Sequence, residues 1–215
     1  VGDTAMRILR LAIPITIGAT GLQIINAIGS GIILGRLQDT LGYELSKASS
    51  LYGVYAMAQT LYLLPSALIQ PLTVSMIPAV TEALTLCNDT DARKKEKSAL
   101  RLAAMLALPA GAGLSVLAAP IQRLLYGYDD ATILVAGPTL MILGIASAGY
   151  CLILVTNAIL QAHGKAAYAV CATVAGGVTN LLVTAVLVSN PRLHILGAAL
   201  GTAAYCVVTL VCNML

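Results

Sequence analysis

Phenylalanine and tryptophan are missing from all 215 residues, and nine tyrosines are the only large aromatic side chains. We have no physical account of that absence. Charge is also scarce. Charged residues make up 10% of the chain, against about a quarter in ordinary soluble domains, and most of them cluster between apolar stretches, too few to clothe a water-exposed surface. The five cysteines (Cys87, Cys151, Cys171, Cys206 and Cys212) show no CxxC spacing, which argues against a zinc ribbon or a dithiol centre. Four of them lie within apolar runs, where small buried packing residues are the expected role. There is no phosphate-binding glycine loop, no usefully spaced carboxylate pair and no His/Cys cluster. The sequence therefore predicts no catalytic residue, no cofactor and no metal, and nothing in its pattern points to nucleic acid.

What is present is apolar length. Mean hydropathy is +0.90, and six apolar stretches run approximately over 11–35, 52–81, 99–125, 132–161, 166–189 and 195–215. A helix needs roughly 20 residues to cross a hydrocarbon core of roughly 30 Å, and each stretch meets that length. Lipid cannot satisfy free backbone amides, so the choice lies between helices and a closed barrel. Barrel strands are only about 10 residues long and alternate in polarity. These runs do neither, so the expected fold is an all-α, polytopic transmembrane bundle of six spans. The chain begins at Val1 and stops inside an apolar run, and it reads as a piece of a longer protein. Its first apolar run is too long for a signal peptide.

Basic residues set the expected orientation. Arg7, Arg10, Arg93, Lys94, Lys95, Lys97, Arg101 and Lys165 fall on one side, against Arg36, Lys47, Arg123 and Arg192 on the other. The first side is expected to be cytoplasmic, and with six spans both ends of the fragment share it. Tyr43, Tyr52, Tyr55, Tyr126 and Tyr128 map to the outer boundary, where amphipathic rings settle. The basic run at 93–97 reads as a topology signal, with anionic headgroups as a further ligand class.

Polar side chains inside the spans are expected to face the bundle or a wet cavity. Span one holds Gln23 and Asn26, three apart on one face, and a GxxxG step from Gly31 to Gly35 suited to close helix approach. Span two carries Pro65, Pro71 and Pro78 with Gln59 and Gln70. Each internal proline removes a backbone hydrogen bond and clashes with the preceding turn, so a bent or broken helix is expected, with the three prolines as hinge candidates. Glu82, at the inner end of span two, is placed to pair with Arg101. Span four ends with Asn157 and Gln161 at i, i+4, followed by His163, which either titrates in proton coupling or is solvated. Span five offers Asn180, and span six opens with a second GxxxG step, Gly197 to Gly201. Gln23, Asn26, Gln59, Gln70 and Asn157 are expected to share one polar cavity, with Gln161 and Asn180 as further lining candidates.

Several strings carry a resemblance: RLAIPITIG at 10–18, INAIGSGIILGRLQ at 25–38, SLYGVYAMAQTLYLLPSAL at 50–68, SMIPAVTEA at 75–83, LPAGAGLSVLAAPI at 108–121, AILQAHGK at 158–165 and ILGAALGT at 195–202. In this order the sequence resembles the multidrug/oligosaccharidyl-lipid/polysaccharide (MOP) exporter superfamily. Within it, the likeness is to the stage V sporulation protein B and polysaccharide-flippase branch related to the lipid II flippase MurJ. The resemblance implies two pseudo-symmetric six-helix lobes around a cavity, with residues 1–215 as the second lobe and the first lobe as its missing partner. It implies alternating access in a bacterial cell membrane, moving a polyprenyl-linked saccharide for cell-wall or peptidoglycan synthesis or for sporulation. A cation-coupled multidrug exporter of the same fold and a non-transporting scaffold for cell-wall enzymes are the alternatives. The branch often places Asp three residues after the Asn of this lobe's first helix, whereas Gly29 follows Asn26 here. The ILQG motif reads ILQA, with Ala162 in the glycine position. Arg36 is the nearest candidate for contacting a pyrophosphate.

Overall fold

The computed structural model describes residues 27–40, 42–191 and 193–215. Gln23, Asn26 and most of the expected first span lie outside them. Among the described residues every regular element is helical. Helical residues 27–35 (α1) widen into a π-helical turn at Arg36–Thr40. There follow α2 (Leu45–Tyr62), α3 (Leu64–Thr85), α4 (Asp89–Val116), α5 (Ala118–Tyr126), α6 (Asp130–Ala162), α7 (Ala166–Val188) and α8 (Leu196–Met214). Five segments are long and apolar enough to cross a membrane: Leu45–Thr85, α4, α6, α7 and α8. With α1, whose described part belongs to the first apolar stretch, they match the expected architecture.

Two spans are interrupted by a single residue. Leu63 separates α2 from α3, and Leu117 separates α4 from α5. In each case a proline sits in the first turn of the next helix, Pro65 in α3 and Pro120 in α5. That position tolerates proline because first-turn N–H groups have no intrahelical acceptor. Pro71 and Pro78 behave differently: α3 continues through both. The helical assignment is thus interrupted once, just before Pro65, and runs on through Pro71 and Pro78.

The remaining boundaries follow local chemistry. Asn88 caps α4 by accepting from the Asp91 amide at 3.2 Å. Asp129 caps α6 through the Thr132 amide at 3.3 Å and the Thr132 hydroxyl, using a short side chain to satisfy an orphan donor. Gly127, at φ 62°, ends α5 in the left-handed conformation that glycine adopts without strain.

The longest helix, α6, is the central post, packing against α2, α3, α4, α5, α7 and α8. Small residues bring its neighbours close. At Gly111 of α4 an added Cβ would sit 2.7 Å from the Gly144 carbonyl oxygen of α6. On the other side α7 and α8 form the most extensive helix pair. A Cβ on Gly201 would meet the Thr184 hydroxyl and, at 2.6 Å, Asn180 Oδ1. The Gly197 to Gly201 step is thus a packed interface, as small-residue spacing favours. Its counterpart in α1 is not: nothing lies within 4 Å of a Cβ built on Gly31, and Gly35 meets only Asp39. Large apolar side chains such as Leu68, Val74, Leu124, Leu134 and Val186 point outward, the surface a bilayer requires.

Candidate functional site

A cavity of about 340 Å³ opens between α1, α2, α6, α7 and α8. Its wall on α2 is a helical stripe. Tyr52, Tyr55, Gln59 and Tyr62 recur at spacings of three and four residues and so share a face. Asn180 and Thr184 stand one turn apart on α7, Thr202 and Tyr205 lie on α8, Tyr150 comes from α6 and Ser30 from α1. The described lining holds five tyrosines, amides and hydroxyls, and no charged side chain.

The hydrogen bonds in this wall have a direction. Thr202 Oγ1 lies 3.1 Å from the Ala198 carbonyl oxygen, which can only accept, so the threonine hydroxyl donates there. With that hydrogen committed, Tyr55 donates to Thr202 Oγ1 at 2.9 Å. Gln59 Nε2 then donates to the Tyr55 oxygen at 2.9 Å. The relay Gln59 to Tyr55 to Thr202 to the Ala198 carbonyl ties α2 to α8. Below it, Cys206 Sγ lies 3.4 Å from the Ala146 carbonyl oxygen and 3.6 Å from the Tyr62 hydroxyl. Across the cavity Thr184 donates to Asn180 Oδ1 at 3.1 Å.

Only some of the sequence candidates meet here. Gln59 and Asn180 line the cavity. Gln70 is exposed on α3, one helix beyond the Leu63 break, and does not reach it. Asn157 is engaged elsewhere, because Asn213 Nδ2 of α8 donates to its Oδ1 at 2.8 Å and to Thr156 Oγ1 at 2.9 Å. Gln161 is exposed near the end of α6. The expectation of a single cavity shared by Gln59, Gln70 and Asn157 is therefore corrected: the break turns Gln70 away, and Asn157 has a partner of its own. Arg36 is exposed and outside the lining. Pro65, Pro71 and Pro78 lie on α3, outside it as well.

Two further expectations change. Glu82 and Arg101 form no ion pair among the described residues. His163 is not simply solvated, since its Nε2 lies 2.7 Å from Glu96 Oε1, joining the end of α6 to α4. Tyr52 and Tyr55 face the cavity, with Tyr55 only 5% exposed. Tyr62, Tyr150, Tyr205, Thr184 and Thr202 also line the cavity. The spacing of 52, 55, 59 and 62 is a signal for Tyr62; the other four have no local one.

Residues 3–215 match the family described as Lipid II flippase MurJ. The chain belongs to that family. No curated protein matched it by sequence. Among solved structures, a MOP superfamily transporter from Pyrococcus furiosus superposes with TM-score 0.76 at 20% identity over 95% of this chain. Its published description speaks of a reversed polarity of its binding pocket and a different function. An outward-facing multidrug resistance MATE family transporter gives TM-score 0.76 at 19% identity over 95% of the chain, and an inward-facing one gives 0.68 at 19% over 86%. At these identities the structures establish the fold alone, a multi-pass membrane helix bundle. The chain spans 42%, 43% and 41% of those three proteins respectively.

Proposed function

We propose that residues 1–215 form the second six-helix lobe of a bacterial flippase that moves a lipid-linked saccharide by alternating access, with both ends of the fragment on the cytoplasmic side. The observation that carries this reading is the cavity: an uncharged recess in which tyrosines, amides and hydroxyls stand among apolar side chains, in a chain of the MurJ family. Tyrosine faces and neutral hydrogen-bonding groups suit the sugar portion of a headgroup, presenting flat apolar surface beside a few fixed polar contacts. The anionic diphosphate finds no cation in the described lining, so its contacts are assigned to the first lobe, with Arg36, outside the cavity, as the candidate from this one. Cell-wall or spore-wall precursors are the saccharides we assign.

The test is complementation. The full-length gene should rescue growth of a bacterium depleted of its lipid II flippase, and Gln59→Leu with Tyr55→Phe should abolish rescue at normal membrane abundance. Full rescue by the double variant would remove the cavity from the transport path.

A further inference from the structure

The first three turns of α4 have two faces with opposite electrostatic fates. Ala92, Ala99 and Ala103 are buried on the bundle side. On that side's flanks the charges are consumed: Lys95 Nζ reaches Asp91 at 2.9 Å and the Ala79 carbonyl oxygen of α3 at 3.1 Å, and Glu96 holds His163 at 2.7 Å. On the opposite side Arg93, Lys94, Lys97 and Arg101 are all exposed and occupy an arc of roughly 100° at 3.6 residues per turn. None of the four forms an ion pair among the described residues, and Asp89, one turn before Arg93, does not reach it. The same face continues into Met105 and Leu108, which are 63% and 58% exposed.

We propose that this face of α4 is a docking surface for anionic phospholipid headgroups. The apolar side chains fix the depth: with Met105 and Leu108 against acyl chains, Arg101 and Lys97 fall at the headgroup layer. Arg93 lies roughly 12 Å further along the axis at 1.5 Å per residue, about one and a half Debye lengths from Arg101 at physiological salt. Residues that neutralise each other add nothing to such a surface, and here Asp91 is taken up by Lys95 and Glu96 by His163, while Asp89 forms no ion pair with any of the four basic residues. A membrane is the occupant the observations select, because a soluble anion has no use for cations aligned above a lipid-facing apolar stripe. Each basic residue near an anionic surface strengthens attachment by about fivefold.

Full-length protein in lipid nanodiscs, carrying photoactivatable phosphatidylglycerol or phosphatidylcholine as a trace probe, tests this. The phosphatidylglycerol probe should crosslink to 93–105 at least tenfold more than the phosphatidylcholine probe. Arg93→Gln, Lys97→Gln and Arg101→Gln together should remove that excess, while Arg123→Gln, which breaks a pair with Asp130 elsewhere, should not. Equal labelling by the two probes, or an excess that survives the triple change, overturns the proposal and leaves the basic run a topology signal only. Should the triple variant fail to insert, the wild type decides: added chloride must erode the excess, and a salt-insensitive excess overturns it. Loss of the excess to inorganic phosphate at an ionic strength that chloride tolerates would assign the face to a soluble anion instead.

Discussion

The Tyr55 hydroxyl donates to Thr202 Oγ1 across 2.9 Å, although the two residues are 147 positions apart. That bond joins the helix before the Leu63 break to the helix that closes the bundle. Because Thr202 also serves the Ala198 carbonyl, each hydroxyl hydrogen in the relay has one destination.

Removing one partner should hurt more than removing both. Thr202→Val leaves the buried Tyr55 hydroxyl without an acceptor, a loss of about 1–3 kcal/mol. Adding Tyr55→Phe should recover part of that stability while transport stays impaired. Thermal unfolding in detergent, read beside complementation, checks both halves.

The glycine contacts set a limit on size. Gly201→Leu should destabilise by about 1–3 kcal/mol through overpacking, since the Asn180 side chain already stands where a Cβ would go. Gly31→Leu should be nearly neutral in this lobe, because nothing among the described residues approaches that position. Relative melting temperatures of the two variants distinguish them.

Membrane orientation predicts a labelling pattern. Lys94 is exposed, whereas Lys95 is tied to Asp91 and the Ala79 carbonyl, so Lys94 is the better cytoplasmic reporter. In a background lacking Cys87, a cysteine at position 94 should resist an impermeant maleimide on intact cells, and one at Lys47 should react. Reaction at 94 from outside would reverse the assigned topology.

Proline substitutions should separate the break from the continuous part of the helix. Pro65→Ala lets α2 run on into α3 and should lower transport at normal abundance. Pro71→Ala supplies the N–H missing inside α3 and should raise the melting temperature. Transport assays on the two variants that show equal loss would remove the special role of the Leu63 break.

Asp129 gives the pH dependence at the α5–α6 turn. The Thr132 hydroxyl, followed by backbone amides, holds its carboxyl below the ordinary value of 3.8. A carboxyl depressed in the folded state adds stability that is present above the unfolded value and is lost as pH falls through the folded one. The melting-temperature advantage of the wild type over Asp129→Asn should therefore hold at neutral pH and vanish only below about pH 4. An advantage constant down to pH 2 would show the cap to be insensitive to charge.

Much of the architecture was legible because membrane physics leaves few options: runs of apolar residues, a low charge count and broken spans translate almost directly into helices and their ends. The cavity was less legible. Amides such as Gln70 and Asn157 look alike in sequence, yet one lies past a helix break and the other meets Asn213, and neither fact has a local signature. Tyr55 illustrates the converse. Read singly it is an interfacial ring, and only its register with Tyr52, Gln59 and Tyr62 marks it as inward-facing.

The one-residue interruptions at Leu63 and Leu117 divide two spans, whereas α7 and α8 run unbroken and meet closely at Gly197 and Gly201. Gln59 and Tyr62 stand in the last turn before Leu63, and Thr202 lies across the recess on α8. A swing of α2 about Leu63 would therefore change the recess's width, and the Tyr55 to Thr202 bond is the tie that must stretch or part.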